Sequence, residues 1–146
     1  MEYRVVYRLT RSQTDELHRL YRREWWSAER TREEVERMLE HTDLVVGIID
    51  PEERLAGFAR VLTDRVFKAE IYDVIVEESH RGRGLGRQLL KEIFAHPMLR
   101  EVRQFNLQCL EERKAFYKEM GFEDLRSRLV YMRKENSIRR SISMVI

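Results

Sequence analysis

The segment that most limits how this chain can fold is Arg81–Gly86, with the sequence RGRGLG. It follows the apolar stretch Ile71–Val76, which predicts a strand, and it precedes leucines at helical spacing that predict an amphipathic helix. Because glycine has no Cβ, successive amides can point into one concavity where the helix begins, and the helix dipole there favours an anion. The segment therefore predicts a turn that binds phosphate.

Two familiar phosphate-binding loops do not fit this segment. A dinucleotide-binding fingerprint has the spacing G-x-G-x-x-G after an N-terminal strand, whereas Gly82, Gly84 and Gly86 give G-x-G-x-G in the middle of the chain. A Walker A loop requires a lysine followed by a hydroxyl residue, and neither is present in the segment. Nucleic acid is also disfavoured as a partner, because 28 basic and 26 acidic residues leave a formal net charge of only +2.

The composition indicates a globular protein with one principal domain. A chain of 146 residues can bury one sizeable core, and we expect the domain to span 1–134, with a tail at 135–146. The single cysteine, Cys109, and the absence of a Cys/His cluster predict a reducing, cytoplasmic setting with no metal site. No stretch approaches the roughly 18 apolar residues of a membrane span, so no membrane association is expected.

Periodicity predicts the order β-α-α-β-β-β-α-β-α-β. Strands are expected at Glu2–Arg8, Leu44–Ile49, Leu55–Leu62, Phe67–Val76, Val102–Cys109 and Leu129–Met132. One helix is expected to start near Ser12, and a second after the capping box formed by Thr31 and Glu34. The last two helices are expected from Leu85 to near Pro97 and over Glu112–Met120.

Two motifs resemble those of the GNAT superfamily of acyl-CoA-dependent N-acetyltransferases. Arg81, Gly84 and Gly86 match the pattern [RQ]-x-x-G-x-[GA], and the later AFYKEMGF resembles the F-Y-x-x-x-G-F segment of the family. The resemblance covers nearly the whole chain. It implies an α/β (α+β) fold whose mixed, mostly antiparallel sheet has about six to seven strands and about four helices, splayed between strands 4 and 5.

The resemblance also implies acetyl-CoA as the cofactor and assigns residues to it. The backbone of Val74, Ile75 and Val76 would pair with pantetheine, and the Val74 amide would donate to the thioester oxygen. The pyrophosphate would lie on the loop, with charge-assisted contacts from two of its arginines. The residues assigned in this way are Arg81, Gly82, Arg83, Gly84, Leu85, Gly86 and Arg87.

Two residues are the candidates for proton transfer. Tyr117 matches the family tyrosine that stands near the sulfur, which implies a general acid. Glu70 precedes Arg81 by eleven positions, where several family members place a glutamate, and it would act as base directly or through a water. Strand alternation places Glu70 on one face with Tyr72 and Val74, and Asp73 on the opposite face as a structural carboxylate that anchors an arginine. The alternative is that the bulge implied by the resemblance turns Asp73 toward the cleft.

The acceptor amine is expected beside the segment that links the first two helices. Trp25, Trp26 and Arg30 are candidate wall residues there, together with Tyr72, and they would suit an apolar or aromatic amine. The expected activity is transfer of an acetyl group to a primary amine of a small molecule by direct attack. A peptide or protein amine, and a non-enzymatic acyl-CoA-binding module, are the alternatives. A homodimer is possible.

Overall fold

A computed structural model describes residues 2–126 and 128–136 of the chain. The chain divides into two compact units, Met1–Glu111 and Glu112–Ile146. The first contains the whole β-sheet and three α-helices, and the second contains one short α-helix in its described part. The expected C-terminal tail falls mostly on residues 137–146, which lie outside the described residues.

The sheet of the first unit has five strands in the order β1-β2-β3-β4-β5. Neighbouring strands are antiparallel except β4 and β5, which are parallel, so the expected mixed and mostly antiparallel sheet is confirmed. The strands are β1 (Arg4–Val6), β2 (Leu44–Ile49), β3 (Leu55–Thr63), β4 (Lys68–Val76) and β5 (Gln104–Asn106).

The expected strand count of six to seven is too high for the described residues. The strand predicted at Leu129–Met132 is absent, and its side chains are 69 to 85% exposed. The strand predicted at Val102–Cys109 is only three residues long, and Cys109 is exposed. Alternation of apolar residues predicts which residues suit a strand, but whether a strand forms also depends on a neighbouring strand at the right register, which local alternation does not report.

The α-helices are α1 (Arg11–Arg23), α2 (Arg32–Glu40), α3 (Leu85–Ala95) and α4 (Lys114–Glu119). The capping box of Thr31 and Glu34 starts α2 as predicted. A second capping box, formed by Thr10 and Gln13, starts α1 slightly before the predicted Ser12. Short 3-10 turns occupy Glu78–His80, Pro97–Leu99 and Glu111–Arg113.

The helices of the first unit cover both faces of the sheet. Leu17, Tyr21 and Val35 from α1 and α2 form a core with Phe58 and Ile75. Gly57, which directly precedes Phe58, faces the side chain of Leu89 in α3. Because adjacent residues of a strand point to opposite faces, α3 packs on the face opposite to α1 and α2.

A bulge in β4 changes which side chains share a face. Arg60 of β3 pairs with Tyr72, whereas Phe58, two residues away, pairs with Ile75, so β4 holds one extra residue in this interval. Asp73, in the bulge, has a φ of 56°. Tyr72 and Ile75 therefore share a face. Strand alternation, which would place Val74 with Glu70 and Tyr72 and Asp73 on the opposite face, is therefore wrong here. The bulge turns Asp73 to the face of Tyr72, where both residues contact Arg60, which is the alternative that a bulge in this strand allows.

Candidate functional site

A fork in the sheet forms the centre of the candidate site. β4 and β5 pair through only three residues, and the last pair is Glu70 with Asn106. β4 then continues to Val76, whereas β5 ends. This is the splay expected between strands 4 and 5. Among the described residues, no strand pairs with the backbone of Ile71–Val76 on the β5 side of the sheet.

Glu70 lies at the point where the two strands diverge. It is half-buried, and its Oε1 accepts a hydrogen bond of 3.0 Å from Asn106 Nδ2. This hydrogen bond holds Oε1 in place. Because the carboxylate group is planar and rigid, it also limits where the second oxygen, Oε2, can lie. The sequence reading did not identify Asn106, because the register of two parallel strands cannot be deduced from their local patterns. The role of Glu70 as base stays a prediction.

The glycine loop connects β4 to α3 through two left-handed residues. Gly82 has a φ of 78° and Gly84 a φ of 79°, which only glycine adopts without strain. Gly84 occupies the N-cap position of α3, and it provides no side-chain cap for the helix. Arg81–Gly84 is exposed, whereas Leu85 is buried. The loop therefore presents the positive end of a helix at the surface, beside the end of β4.

Two arginines of the loop contact other parts of the first unit. Arg81 Nε donates to the Val76 carbonyl at 3.1 Å, and its Nη2 lies 3.8 Å from Glu24 Oε1. Arg83 Nη1 donates to the Tyr3 hydroxyl at 3.4 Å. The Arg81 contact ties the loop to the last residue of β4. The residues predicted to bind the cofactor backbone and phosphates thus lie along one continuous path from Val74 to Arg87.

The bulge turns Asp73 toward α1, where one carboxylate oxygen receives three hydrogen bonds. Its Oδ2 accepts from the Tyr21 hydroxyl at 2.8 Å, from Arg30 Nη1 at 2.8 Å and from Arg60 Nε at 2.7 Å. We call these four residues the Asp73 cluster. The cluster joins α1, the segment between α1 and α2, and two strands. Asp73 therefore anchors two arginines, the structural role that a charged residue within an apolar strand predicts.

The Asp73 carboxylate remains charged although its side chain is only 7% exposed. Burial alone would raise its pKa, but the hydrogen bonds and charges of Arg60 and Arg30 hold the pKa below the ordinary value of 3.8. Burial and the neighbouring carboxylate raise the pKa of Tyr21 far above its ordinary value. Tyr21 therefore acts as a hydrogen-bond donor here.

Aromatic side chains surround the Asp73 cluster. The Arg30 guanidinium lies 4.5 Å from the centre of the Tyr21 ring and 5.5 Å from that of Trp26. The Arg60 guanidinium lies 4.9 Å from the Tyr72 ring. Trp26 and Tyr72 are each about two-fifths exposed, and Trp25 is 76% exposed. The structure thus brings Trp26, Arg30 and Tyr72 around one cluster, with Trp25 at the surface of the same connecting segment.

Tyr117 lies on α4, in the second unit. Its ring makes edge-to-face contacts with Phe116 and Phe122, with centroid distances of 5.0 and 5.9 Å. Gly121 has a φ of 97°, and the amide of Phe122 donates to the Tyr117 carbonyl at 3.0 Å. The F-Y-x-x-x-G-F segment therefore forms a short helix closed by glycine. The role of Tyr117 as acid stays a prediction.

Within residues 2–126 and 128–136, no group of three or more His, Cys, Asp or Glu side chains is placed to hold a metal ion. No helix in this part of the chain combines the length and the apolar character that crossing a membrane requires.

Comparisons with known proteins agree with the motifs. A model of the acetyltransferase (GNAT) family matches residues 11–122. A histone acetyltransferase, TAP1, of Glycine max is 33% identical over 72 residues, which cover 49% of this chain and 31% of that protein. Serotonin N-acetyltransferase 2, chloroplastic, of Oryza sativa subsp. japonica is 36% identical over 97 residues, covering 64% and 48%. The chain therefore spans about a third to a half of these relatives.

Solved structures share the fold over most of the chain. A GNAT-family protein of Xanthomonas campestris pv. campestris, described as a putative acetyltransferase, superposes with a TM-score of 0.77 at 28% identity, covering 89% of this chain and 94% of that one. Glucosamine-6-phosphate N-acetyltransferase of Arabidopsis thaliana superposes with a TM-score of 0.73 at 19% identity, covering 92% and 99%. The second likeness shows the fold alone.

Proposed function

Because the chain belongs to the GNAT family of N-acetyltransferases, we propose that it transfers the acetyl group of acetyl-CoA to a primary amine of a small molecule. The observation that carries the proposal is the continuous path from the unpaired edge of β4 to the exposed glycine loop at the start of α3. Such a path offers backbone groups to an extended chain and amides to the phosphates at its end.

Different residues of the path are proposed to bind different parts of acetyl-CoA. The amides of Gly82–Arg87 hold the pyrophosphate, and Arg83 and Arg87 add charge-assisted hydrogen bonds. The backbone of Val74, Ile75 and Val76 pairs with pantetheine. Bound acetyl-CoA supplies a thioester whose carbonyl carbon is attacked by the amine nitrogen, with release of the thiol. The Val74 amide donates to the thioester oxygen and stabilises the charge that develops there.

Two side chains move protons in the proposed reaction. Glu70 removes a proton from the acceptor ammonium, directly or through a water, and so frees the nitrogen lone pair for attack. Tyr117 donates its hydroxyl proton to the sulfur as the carbon–sulfur bond breaks. The attacking nitrogen loses its second proton to solvent, and solvent returns a proton to Tyr117. The Glu70 assignment is supported by its place at the fork, where Asn106 holds its Oε1. The Tyr117 assignment is supported by the sequence motif.

The surroundings of the Asp73 cluster favour an aromatic or apolar acceptor. Trp25, Trp26, Arg30 and Tyr72 would form its wall, and indole and phenol rings bind such molecules by stacking. Two guanidinium groups against one carboxylate leave the cluster with a positive charge, which disfavours a polycation. One relative is named for serotonin, a small aromatic amine. A protein amine is the second candidate, since another relative is named a histone acetyltransferase.

Thiol release with acetyl-CoA tests the proposal with three classes of acceptor. We expect turnover with aromatic primary amines such as tryptamine, and little with spermidine or with a lysine-containing histone peptide. Turnover with the peptide alone would support the second candidate. Release with none of a wide amine panel would contradict the proposed activity.

The same assay tests the acid. Tyr117→Phe should lower the turnover number by roughly 100-fold, as expected when a proton donor is lost, with little change in CoA affinity measured directly. Tyr131→Phe is the matched control, because Tyr131 is an exposed tyrosine of the same unit. Equal turnover of both variants would remove Tyr117 from the mechanism.

A further inference from the structure

A chain of side-chain contacts links the first residues of the protein to the glycine loop. The Tyr3 hydroxyl lies 2.8 Å from His80 Nδ1, and Arg83 Nη1 donates to the same hydroxyl at 3.4 Å. On the other side of the imidazole, His80 Nε2 lies 3.4 Å from Asp50 Oδ2. We call Asp50, His80, Tyr3 and Arg83 the Tyr3 network.

The fold explains why these distant residues meet. In the antiparallel pairing of β1 with β2, Arg4 is opposite Ile49, so Tyr3 and Asp50 are the next residues beyond that end of the paired strands. His80 lies in the 3-10 turn that leaves β4, immediately before the glycine loop. The network therefore connects the start of β1 and the β2–β3 turn to the loop.

Asp50 gives the network a fixed end. Its other oxygen, Oδ1, accepts from the amides of Glu52 and Arg54 at 2.9 and 3.0 Å, which hold the carboxylate in its own turn. The side chains of Asp50 and His80 are only 10 and 13% exposed. A carboxylate that is held in place and shielded from water orients the imidazole beside it.

The charge of Asp50 gives the Tyr3–His80 hydrogen bond a direction. The carboxylate lies 3.4 Å from Nε2, and its negative charge favours the His80 tautomer with the proton on that nitrogen. His80 Nδ1 then accepts the Tyr3 O–H, and this leaves the lone pairs of the Tyr3 oxygen directed to Arg83. The Tyr3 ring also packs edge-to-face on His80, with a centroid distance of 5.5 Å.

We propose that Asp50, His80 and Tyr3 are positioning residues that hold Arg83 for the phosphates of the cofactor. The proposal rests on the proposed function, because it assumes that the loop binds CoA. Arg83 has a long, flexible side chain on an exposed loop, and ordering such a side chain on binding costs conformational entropy. A hydrogen bond to Tyr3 lowers that cost before the phosphate arrives.

Direct binding of CoA, measured by calorimetry, tests the proposal without any acceptor amine. Tyr3→Phe keeps the ring on His80 and removes only the hydroxyl. It should weaken the affinity for CoA by about threefold to tenfold. Tyr7→Phe is the matched control, since its hydroxyl donates to Glu92 on another part of the surface, and its affinity should equal that of the wild type. Equal affinities of all three proteins would contradict the proposal.

A double-mutant cycle separates positioning from general damage. If Tyr3 acts through Arg83, then Tyr3→Phe should have no further effect on CoA affinity in an Arg83→Gln background. The effect of Tyr3→Phe should also fade at high salt, because salt screens the attraction between guanidinium and phosphate. Additive losses, or a loss that is independent of salt, would contradict the proposal.

Variants of His80 guard against a folding artefact. His80→Leu should lower the affinity for CoA about as much as Tyr3→Phe does. His80→Asn places an amide near the position of Nδ1 and should recover part of that affinity. Equal losses in both would contradict the network. If the wild-type protein itself fails to bind CoA, the proposed function is contradicted, and that result is distinct from unchanged variants of a protein that binds.

Discussion

At the scale of the residue, Asp73 has the largest expected effect on stability. Its nearly buried carboxylate pairs with two guanidinium groups, so Asp73→Asn should lower the free energy of unfolding by about 3 kcal/mol. Asparagine tolerates the positive φ, so the backbone would not cause the loss. Urea unfolding measures it. The control is Asp15→Asn, which removes a much more exposed pair with Arg32, in which the Asp15 side chain is 49% exposed, and should change stability little. Equal losses in the two variants would contradict this prediction.

At the scale of the element, the start of α3 depends on the left-handed Gly84. Gly84→Ala should lower stability by about 1 kcal/mol, because a Cβ disfavours this conformation, although it would meet no protein atom within 4 Å. Gly84→Asn should recover most of the stability, since asparagine tolerates a positive φ. Affinity for CoA should stay reduced severalfold in both, because a Cβ occupies space that the phosphate approaches. Recovered affinity in Gly84→Asn would contradict a close approach of phosphate.

At the scale of the whole molecule, several carboxylates make stability depend on pH. Hydrogen bonds from Ser79 lower the pKa of Glu77, and backbone amides lower that of Asp64. The pKa of Asp73 is also lowered, against the effect of burial, by Arg60 and Arg30. Groups with lowered pKa values stabilise the fold above their ordinary values of 3.8 and 4.5 and lose that contribution as the pH falls through the folded values.

The melting temperature should therefore fall steeply as the pH is lowered from about 5 to 3, since the unfolded chain takes up more protons. Calorimetry over this range measures the fall. In Asp73→Asn the fall should be shallower, because one of the contributing carboxylates is gone. Parallel curves for the two proteins would show that Asp73 does not contribute to the acid sensitivity.

The sequence predicts those parts of the molecule that depend on near neighbours. The capping box at Thr31 and the spacing of the loop glycines act within a few residues, so both can be deduced from the chain alone. The contacts of Asn106 and Tyr3 depend on strand register, which brings together residues that are 36 and 77 positions apart. The bulge at Asp73 shifts register as well, and this is why the predicted face of Val74 was wrong.

The convergence of three donors on a single oxygen of Asp73 also bears on how the chain can vary in evolution. Tyr21, Arg30 and Arg60 all donate to the same oxygen of Asp73. The effect of replacing one of these donors therefore depends on which of the others are present. A lineage that loses the carboxylate retains two partly buried cations without their common partner, and replacing these arginines then becomes favourable. We expect the identities at these four positions to covary among homologues, as a single epistatic unit.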